Sequence, residues 1–239
     1  NAAPAMWPAH PTSDTIVLDR VAPAATAPTW ALPAGAALAG TRMPVRLTWT
    51  GTDATSGVAT YRLRSSVDGQ AWTTVSTSLT STVLLRHLAP GHTYRFAVAA
   101  VDKAGNIGAW AYGPTFRLSA VSQSSSAVRY AGTWATSTST TWWGGTARAS
   151  SRAGSTASFT FTGRSIAWVG LKGVGRGKAA VYVNGVYKAT VDLYSATTKK
   201  QLIVWSANYG ASATRTVTIK VLGTAGRPRV DVDGFIVGS

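Results

Sequence analysis

Three histidines, eight aspartates, no glutamate and no cysteine are all that this 239-residue chain offers for acid–base, nucleophilic or soft-metal chemistry. The histidines stand at 10, 87 and 92, so the second half has no imidazole. Glycoside hydrolysis by paired carboxyls would have to use Asp alone. Acyl transfer needs a base beside a serine, and no motif supplies one. Asp231 and Asp233 lie two apart and would share one face of a strand. A metal or acid/base pair is one use for them; pairing with nearby Arg227 and Arg229 is the plainer one, because a hard cation needs several oxygen ligands. Asp53, Asp102 and Asn106 fall in two loops expected at one pole of a sandwich. Calcium is one use for that group, and side-chain capping of tight turns the plainer one. The basic loop Lys172–Lys178, KGVGRGK, offers Lys172, Arg176 and Lys178 to an anion, but it satisfies neither GxxxxGK[ST] nor GxGxxG. The expectation is a chain that is not an enzyme and has no resident cofactor.

Recognition chemistry is better supplied. Trp142-Trp143-Gly144-Gly145 follows the run TSTSTT. Adjacent indoles on a strand face opposite ways, so one can pack while the other is presented. A rigid exposed indole suits stacking on a sugar ring, with little side-chain entropy to lose. Trp205, Asn208 and Tyr209 form a second loop cluster of the same kind. Asp192 and Tyr194 offer hydrogen bonds to sugar hydroxyls, or else close a strand end on local partners. Trp134 and Trp168 stand in strand-like contexts and read as packing residues.

Composition points the same way. With Thr, Val and ten Trp but no Glu, the sequence favours strands over helices. The net charge of +15 is uneven: residues 1–120 hold nine Lys/Arg against five Asp, residues 121–239 fourteen against three. That excess favours polyanions or simply solubility, and it lacks the aromatic–basic interleaving of a defined nucleic-acid motif. Without cysteine there is no disulfide framework. No apolar run reaches the ~18 residues of a membrane span, and NAAPAMWPAHP lacks the basic start and apolar core of a signal peptide.

The elements that must position these residues are short strands with turn punctuation. Apolar residues alternate as Tyr94, Phe96, Val98 and Ala100, then Asp102-Lys103-Ala104-Gly105-Asn106 turns the chain. Pro44–Thr50 puts Val45, Leu47 and Trp49 on one face. Thr60–Ser65 turns Tyr61 and Leu63 inward and Arg62 and Arg64 outward. Asp68-Gly69 and Asn184-Gly185 are hairpin signals. Later strands are expected at 157–161, 165–169, 178–183, 186–193, 201–205, 214–222 and 229–237. The divisions are residues 1–21 as linker plus the terminal strand of a preceding repeat or a donor strand, 22–120 as one sandwich, 121–128 as a flexible Ser-rich linker, and 129–239 as a second sandwich.

The first unit resembles a bacterial extracellular fibronectin type III domain. The resemblance rests on Leu47-Thr-Trp49, Asp53-x-x-Ser56-Gly57-Val58-x-x-Tyr61, Asp68-Gly69-x-x-Trp72, Leu88-x-Pro90-Gly91-x-x-Tyr94 and Asp102-x-x-Gly105-Asn106. It implies that Trp49 is the core indole and Tyr94 the corner tyrosine, its hydroxyl tied to upstream backbone. The second unit is similar to jelly-roll modules of the galactose-binding or carbohydrate-binding type found in secreted actinobacterial proteins, on Tyr130-x-Gly132-x-Trp134, Trp142–Gly145, Ser158–Gly163, Gly177–Gly185, Thr190–Tyr194 and Val232-Asp233-x-Phe235. Asn184 stands where a common form has Asp, which argues against a hairpin cation. Together these imply an all-β, secreted or cell-surface protein that binds or displays on polysaccharide, the first sandwich serving as spacer. A rival reading is the subunit of an extracellular filament or surface layer. Copies of the chain would then be its partners, with Thr15, Ile16, Val17 and Leu18 in residues 14–20 completing a neighbour's sheet.

Overall fold

A computed structural model describes residues 18–239 as nineteen strands, with no helix among them. The first half holds β1 (Ala24–Ala25), β2 (Thr29–Ala31), β3 (Met43–Thr48), β4 (Gly51–Thr52), β5 (Val58–Val67), β6 (Thr73–Leu79), β7 (Val83–Leu88), β8 (Thr93–Asp102), β9 (Ala111–Tyr112) and β10 (Phe116–Ser122). The second holds β11 (Val128–Ala131), β12 (Ala135–Thr138), β13 (Thr146–Ser150), β14 (Thr156–Lys172), β15 (Lys178–Val183), β16 (Val186–Asp192), β17 (Lys199–Val221), β18 (Val230–Val232) and β19 (Gly234–Gly238). Of the proposed donor strand, Thr15, Ile16 and Val17 lie outside the described residues; Leu18 is exposed and in no strand.

In the first sandwich the sheet β2-β3-β7 packs on β10-β8-β5-β6. The alternation read from the sequence decides which side chains meet: Val45, Leu47 and Trp49 are buried, as are Tyr61, Leu63, Tyr94, Phe96, Val98 and Ala100. The Tyr94 hydroxyl donates to the Ala89 carbonyl at 2.9 Å, the corner expected of it. Asp68 and Gly69 both take positive φ, as a tight hairpin turn requires. β8 also buries its other face: Ala97 and Ala99 are wholly covered. Their cross-strand partners are Arg64 and Arg62, whose aliphatic stems can lie over small side chains while the guanidinium stays at the surface.

In the second sandwich the strands are longer than their sequence punctuation implies. The segments expected at 157–161 and 165–169 are one strand, β14, and those at 201–205 and 214–222 are one strand, β17. Gly163 causes a register shift and no break. A side chain there would strike the Gly238 carbonyl, so the glycine marks the close passage of β19. Asn184 and Gly185 both have positive φ and close the β15–β16 hairpin.

The Ser-rich stretch at 121–128 begins inside a strand. β10 pairs with β8 through Phe116 and Arg117, then with β19 from Leu118 to Ser122. Gln123 is buried and donates to the Thr146 hydroxyl. Small hydroxylated side chains fit a pleated strand as readily as a loop, so composition alone does not place the end of β10. One apolar cluster draws on both halves: Leu32, Leu38, Leu118 and Phe116 from the first, Ala167, Val169, Ile203 and Ile236 from the second. The loop after β2 runs along β17, with Gly35 and Leu38 donating to the carbonyls of Ile203 and Gln201.

Candidate ligand-binding site

Among the aromatic candidates Trp142 is buried, while Trp143, Trp205 and Tyr209 are partly covered. Trp142 and Trp143 sit in the turn between β12 and β13 and not on a strand. Trp142 is buried against Ala147 and Leu171, its Nε1 donating to the Ser137 hydroxyl. Trp143 is partly buried. Its backbone N–H is shared between both oxygens of Asp233 (3.0 and 2.9 Å), and its ring lies against Gly234. Neither ring is a free platform, because the Gly-Gly turn folds them inward.

Trp205, Asn208 and Tyr209 lie on β17 and not in a loop. They belong to the seam between the two halves. Asn208 accepts from the Leu32 N–H at 2.9 Å, and Ser206 donates to the Leu32 carbonyl. Trp205 and Tyr209 pack on the second core, and Arg215 covers the Tyr209 ring at 3.9 Å.

Asp192 and Tyr194 stay at the surface. Asp192 ends β16 and its carboxylate meets Arg227 through two bonds, Nη1 to Oδ1 at 2.6 Å and Nη2 to Oδ2 at 2.9 Å. The guanidinium holds the Asp192 carboxyl down to about 2, so it is ionised at neutral pH. Oδ1 also accepts from the Tyr194 N–H at 2.9 Å, which fixes the ring's base. Arg227 stands 5.1 Å from the Tyr194 ring centroid, and the ring is 48% exposed. The loop beneath is closed by Gly173 donating to the Leu193 carbonyl and Leu193 donating to that of Gly177. Lys178 is exposed and pairs in register with Asp192. A fixed aromatic face beside a planar ion pair can stack on a sugar ring and exchange hydrogen bonds with its hydroxyls.

The remaining acids divide sharply. Asp231 is fully buried between Arg176 Nε at 2.5 Å and Arg229 Nε at 2.7 Å. This is the arginine pairing expected, with Arg176 in the place given to Arg227. No short-range signal links Arg176 to Asp231, which are 55 residues apart. Asp233 is buried without a cation, and burial pushes its carboxyl up to about 7 despite the bonds from Trp143. Asp53 and Asp102 do meet at one pole, as expected, and Asp19 joins them. One carboxylate oxygen from each lies within 4.8 Å of the others. Most of these oxygens cap backbone: Asp53 Oδ1 accepts from Ser56 and Gly57, and Asp102 from the N–H and side chain of Asn106. Asp53 Oδ2 is buried with no hydrogen-bond partner among the described residues.

No helix among the described residues is long and apolar enough to cross a membrane. Residues 35–111 match the family model of the fibronectin type III domain. The chain is 30% identical over 137 residues to an A type blood N-acetyl-alpha-D-galactosamine deacetylase from Flavonifractor plautii, a match covering 55% of this chain and 17% of that protein. It is 42% identical over 77 residues to endoglucanase B from Cellulomonas fimi, covering 32% and 7%. Both relatives are therefore far longer than the part this chain spans. Among solved structures, the CBM36-1 domain of a multidomain xylanase from a Trinervitermes trinervoides hindgut metagenome is similar at 14% identity and a TM-score of 0.37, over 52% of this chain and 98% of that one. Residues 35–111 thus fit the fibronectin type III model, in an all-β chain of two sandwich-like halves.

Proposed function

We propose that this chain is a non-catalytic, glycan-binding segment of a secreted carbohydrate-active protein, and that its second sandwich meets polysaccharide at Tyr194, Asp192 and Arg227. The observation that carries the reading is the exposed Tyr194 ring beside the Asp192–Arg227 pair, its backbone N–H held by the same carboxylate that fixes Arg227. A tyrosine ring, with two side-chain torsions, loses little entropy on stacking. The names of the two partial relatives, a sugar deacetylase and an endoglucanase, support carbohydrate as the ligand class. The test is affinity electrophoresis on a panel of xylan, mannan, glucan and amino-sugar polymers. Retention by at least one polymer should fall roughly tenfold in Tyr194→Ala, the loss of one stacking contact of about 1 to 1.5 kcal/mol. A wild-type chain that no polymer retards, or unchanged retention in the variant, contradicts the reading.

A second reading concerns calcium at the pole of the first sandwich. The orphaned, buried Asp53 Oδ2 beside oxygens of Asp19 and Asp102 suits a hard cation. These three carboxylates would hold it and so fasten the segment before β1 to the β8 turn. Calcium should raise the melting temperature of the chain and leave Asp53→Ala unmoved; equal melting in calcium and in chelator rules the reading out.

A further inference from the structure

The outward face of β5, β8 and β9 carries cations with no acidic partner among the described residues. Arg62, Arg64, Ser66, Arg95, Ala97 and Tyr112 share this face through the registers Arg62↔Ala99, Arg64↔Ala97, Ser66↔Arg95 and Ala97↔Tyr112. Arg64 lies 4.0 Å from the Trp110 ring centroid, 4.8 Å from that of Trp72 and 5.3 Å from that of Tyr112. Among the described residues, none of Arg62, Arg64 and Arg95 makes a salt bridge. Arg62 Nε and Arg64 Nε are buried and have no hydrogen-bond partner among the described residues. Arg95 gives its Nε to the Gly113 carbonyl at 3.0 Å, and its two η nitrogens have no hydrogen-bond partner among the described residues.

Beside this ladder lies an open groove of about 320 Å³, lined by Trp72, Arg95, Gln70, Thr93, Thr115 and Gly69 among others. That volume is near the lower end of small-ligand sites. Asp68, next to Gly69, is already committed to His92 at 2.6 Å and to the Thr93 N–H at 2.8 Å. The groove therefore combines one indole wall, neutral hydrogen-bonding side chains and a guanidinium with its fork free.

The geometry points to a second binding site here, for a carboxylated sugar residue of an anionic polysaccharide. Trp72 would stack on the sugar ring and the Arg95 η nitrogens would take the carboxylate. A planar guanidinium fork matches a carboxylate in two parallel bonds, and an indole supplies the apolar face that a free anion would not need. The site is in the first sandwich and does not rest on the Tyr194 reading.

The test uses the whole chain at physiological salt, titrated with polygalacturonate, with the same polymer fully methyl-esterified, with dextran sulfate and with duplex DNA. Polygalacturonate should bind and its ester should not. Trp72→Ala and Arg95→Gln should each weaken binding roughly tenfold, the loss of a stacking or charge-assisted contact. Thr115→Asp sets a like charge in the groove without removing a contact seen in the fold. It should abolish binding while melting as the wild type does, which keeps the test decisive if Arg95→Gln misfolds. Equal binding of dextran sulfate or DNA would assign the effect to the net charge of +15 and overturn the site. So would unaltered polygalacturonate affinity in Thr115→Asp.

Discussion

The two halves of the chain treat arginine in opposite ways. In the second, where fourteen Lys/Arg face three Asp, the arginines nearest the candidate site are spent on carboxylates: Arg176 and Arg229 on Asp231, Arg227 on Asp192. In the first, with a far smaller excess, Arg62, Arg64 and Arg95 lie among alanines and aromatic rings, with no salt bridge among the described residues. Gross charge therefore misplaces the available cations. A guanidinium over an indole keeps much of its donor capacity, whereas one in a bidentate carboxylate pair has its charge neutralised locally and two of its donors occupied. What a domain can offer an anion follows from how its arginines are satisfied and much less from how many it has.

The comparison is best broken at Asp231. Arg176→Leu leaves a fully buried carboxylate with one partner, and breaking a buried pair in this way costs about 3 kcal/mol or more. Arg64→Leu, which removes a ring-stacked cation and no ion pair, should cost about 1 to 2 kcal/mol, with little dependence on salt. Chemical denaturation of the two variants at low and high salt distinguishes them; equal losses would erase the contrast. Asp233 sharpens it differently. Its carboxyl is raised to about 7 from 3.8, so between those pH values the folded chain keeps a proton that the unfolded chain has released. Its contribution to stability accordingly falls as pH rises from about 4 to 7, by up to about 4 kcal/mol if the whole shift counts. Asp233→Asn should flatten stability across that window in melts from pH 4 to 8, and an unchanged slope would show the carboxylate to be solvated. The smallest effect belongs to Asp192. Its pairing stabilises above pH 4 and fades as pH falls toward 2, but the pair is partly exposed, so Asp192→Asn should cost under about 1 kcal/mol.

Much of the fold was legible in the sequence. Period-two alternation at Tyr94–Ala100 and Val45–Trp49 predicts which side chains fill the first core, and Asp68-Gly69 and Asn184-Gly185 mark their hairpins because few residue pairs tolerate two positive φ values. Glycine was ambiguous elsewhere: Gly163 reads as a stop, yet it clears space for β19 in mid-strand. The candidate site was only half legible. Asp192 and Tyr194 stand on a strand end that local sequence reveals. Arg227, which fixes them both, arrives from 35 residues away and leaves no local trace. The tryptophans misled for a related reason. An indole's value to a ligand depends on what packs against it, and part of what meets Trp142 and Trp143, Leu171 and Asp233 respectively, lies far along the chain. The Arg64–Trp72–Trp110 ladder was missed because outward arginines on a strand look like ordinary solvated positions until the rings above them are placed.

The most direct test of glycan binding at the Asp192–Tyr194 strand end is to follow backbone amide resonances while adding whichever soluble oligosaccharide best competes in the polysaccharide panel. The account predicts saturable shifts concentrated at Asp192–Ser195 and Arg227, with the sugar recovered intact. Shifts confined to the Trp205–Tyr209 seam, or cleavage of the oligosaccharide by the purified chain, would contradict it.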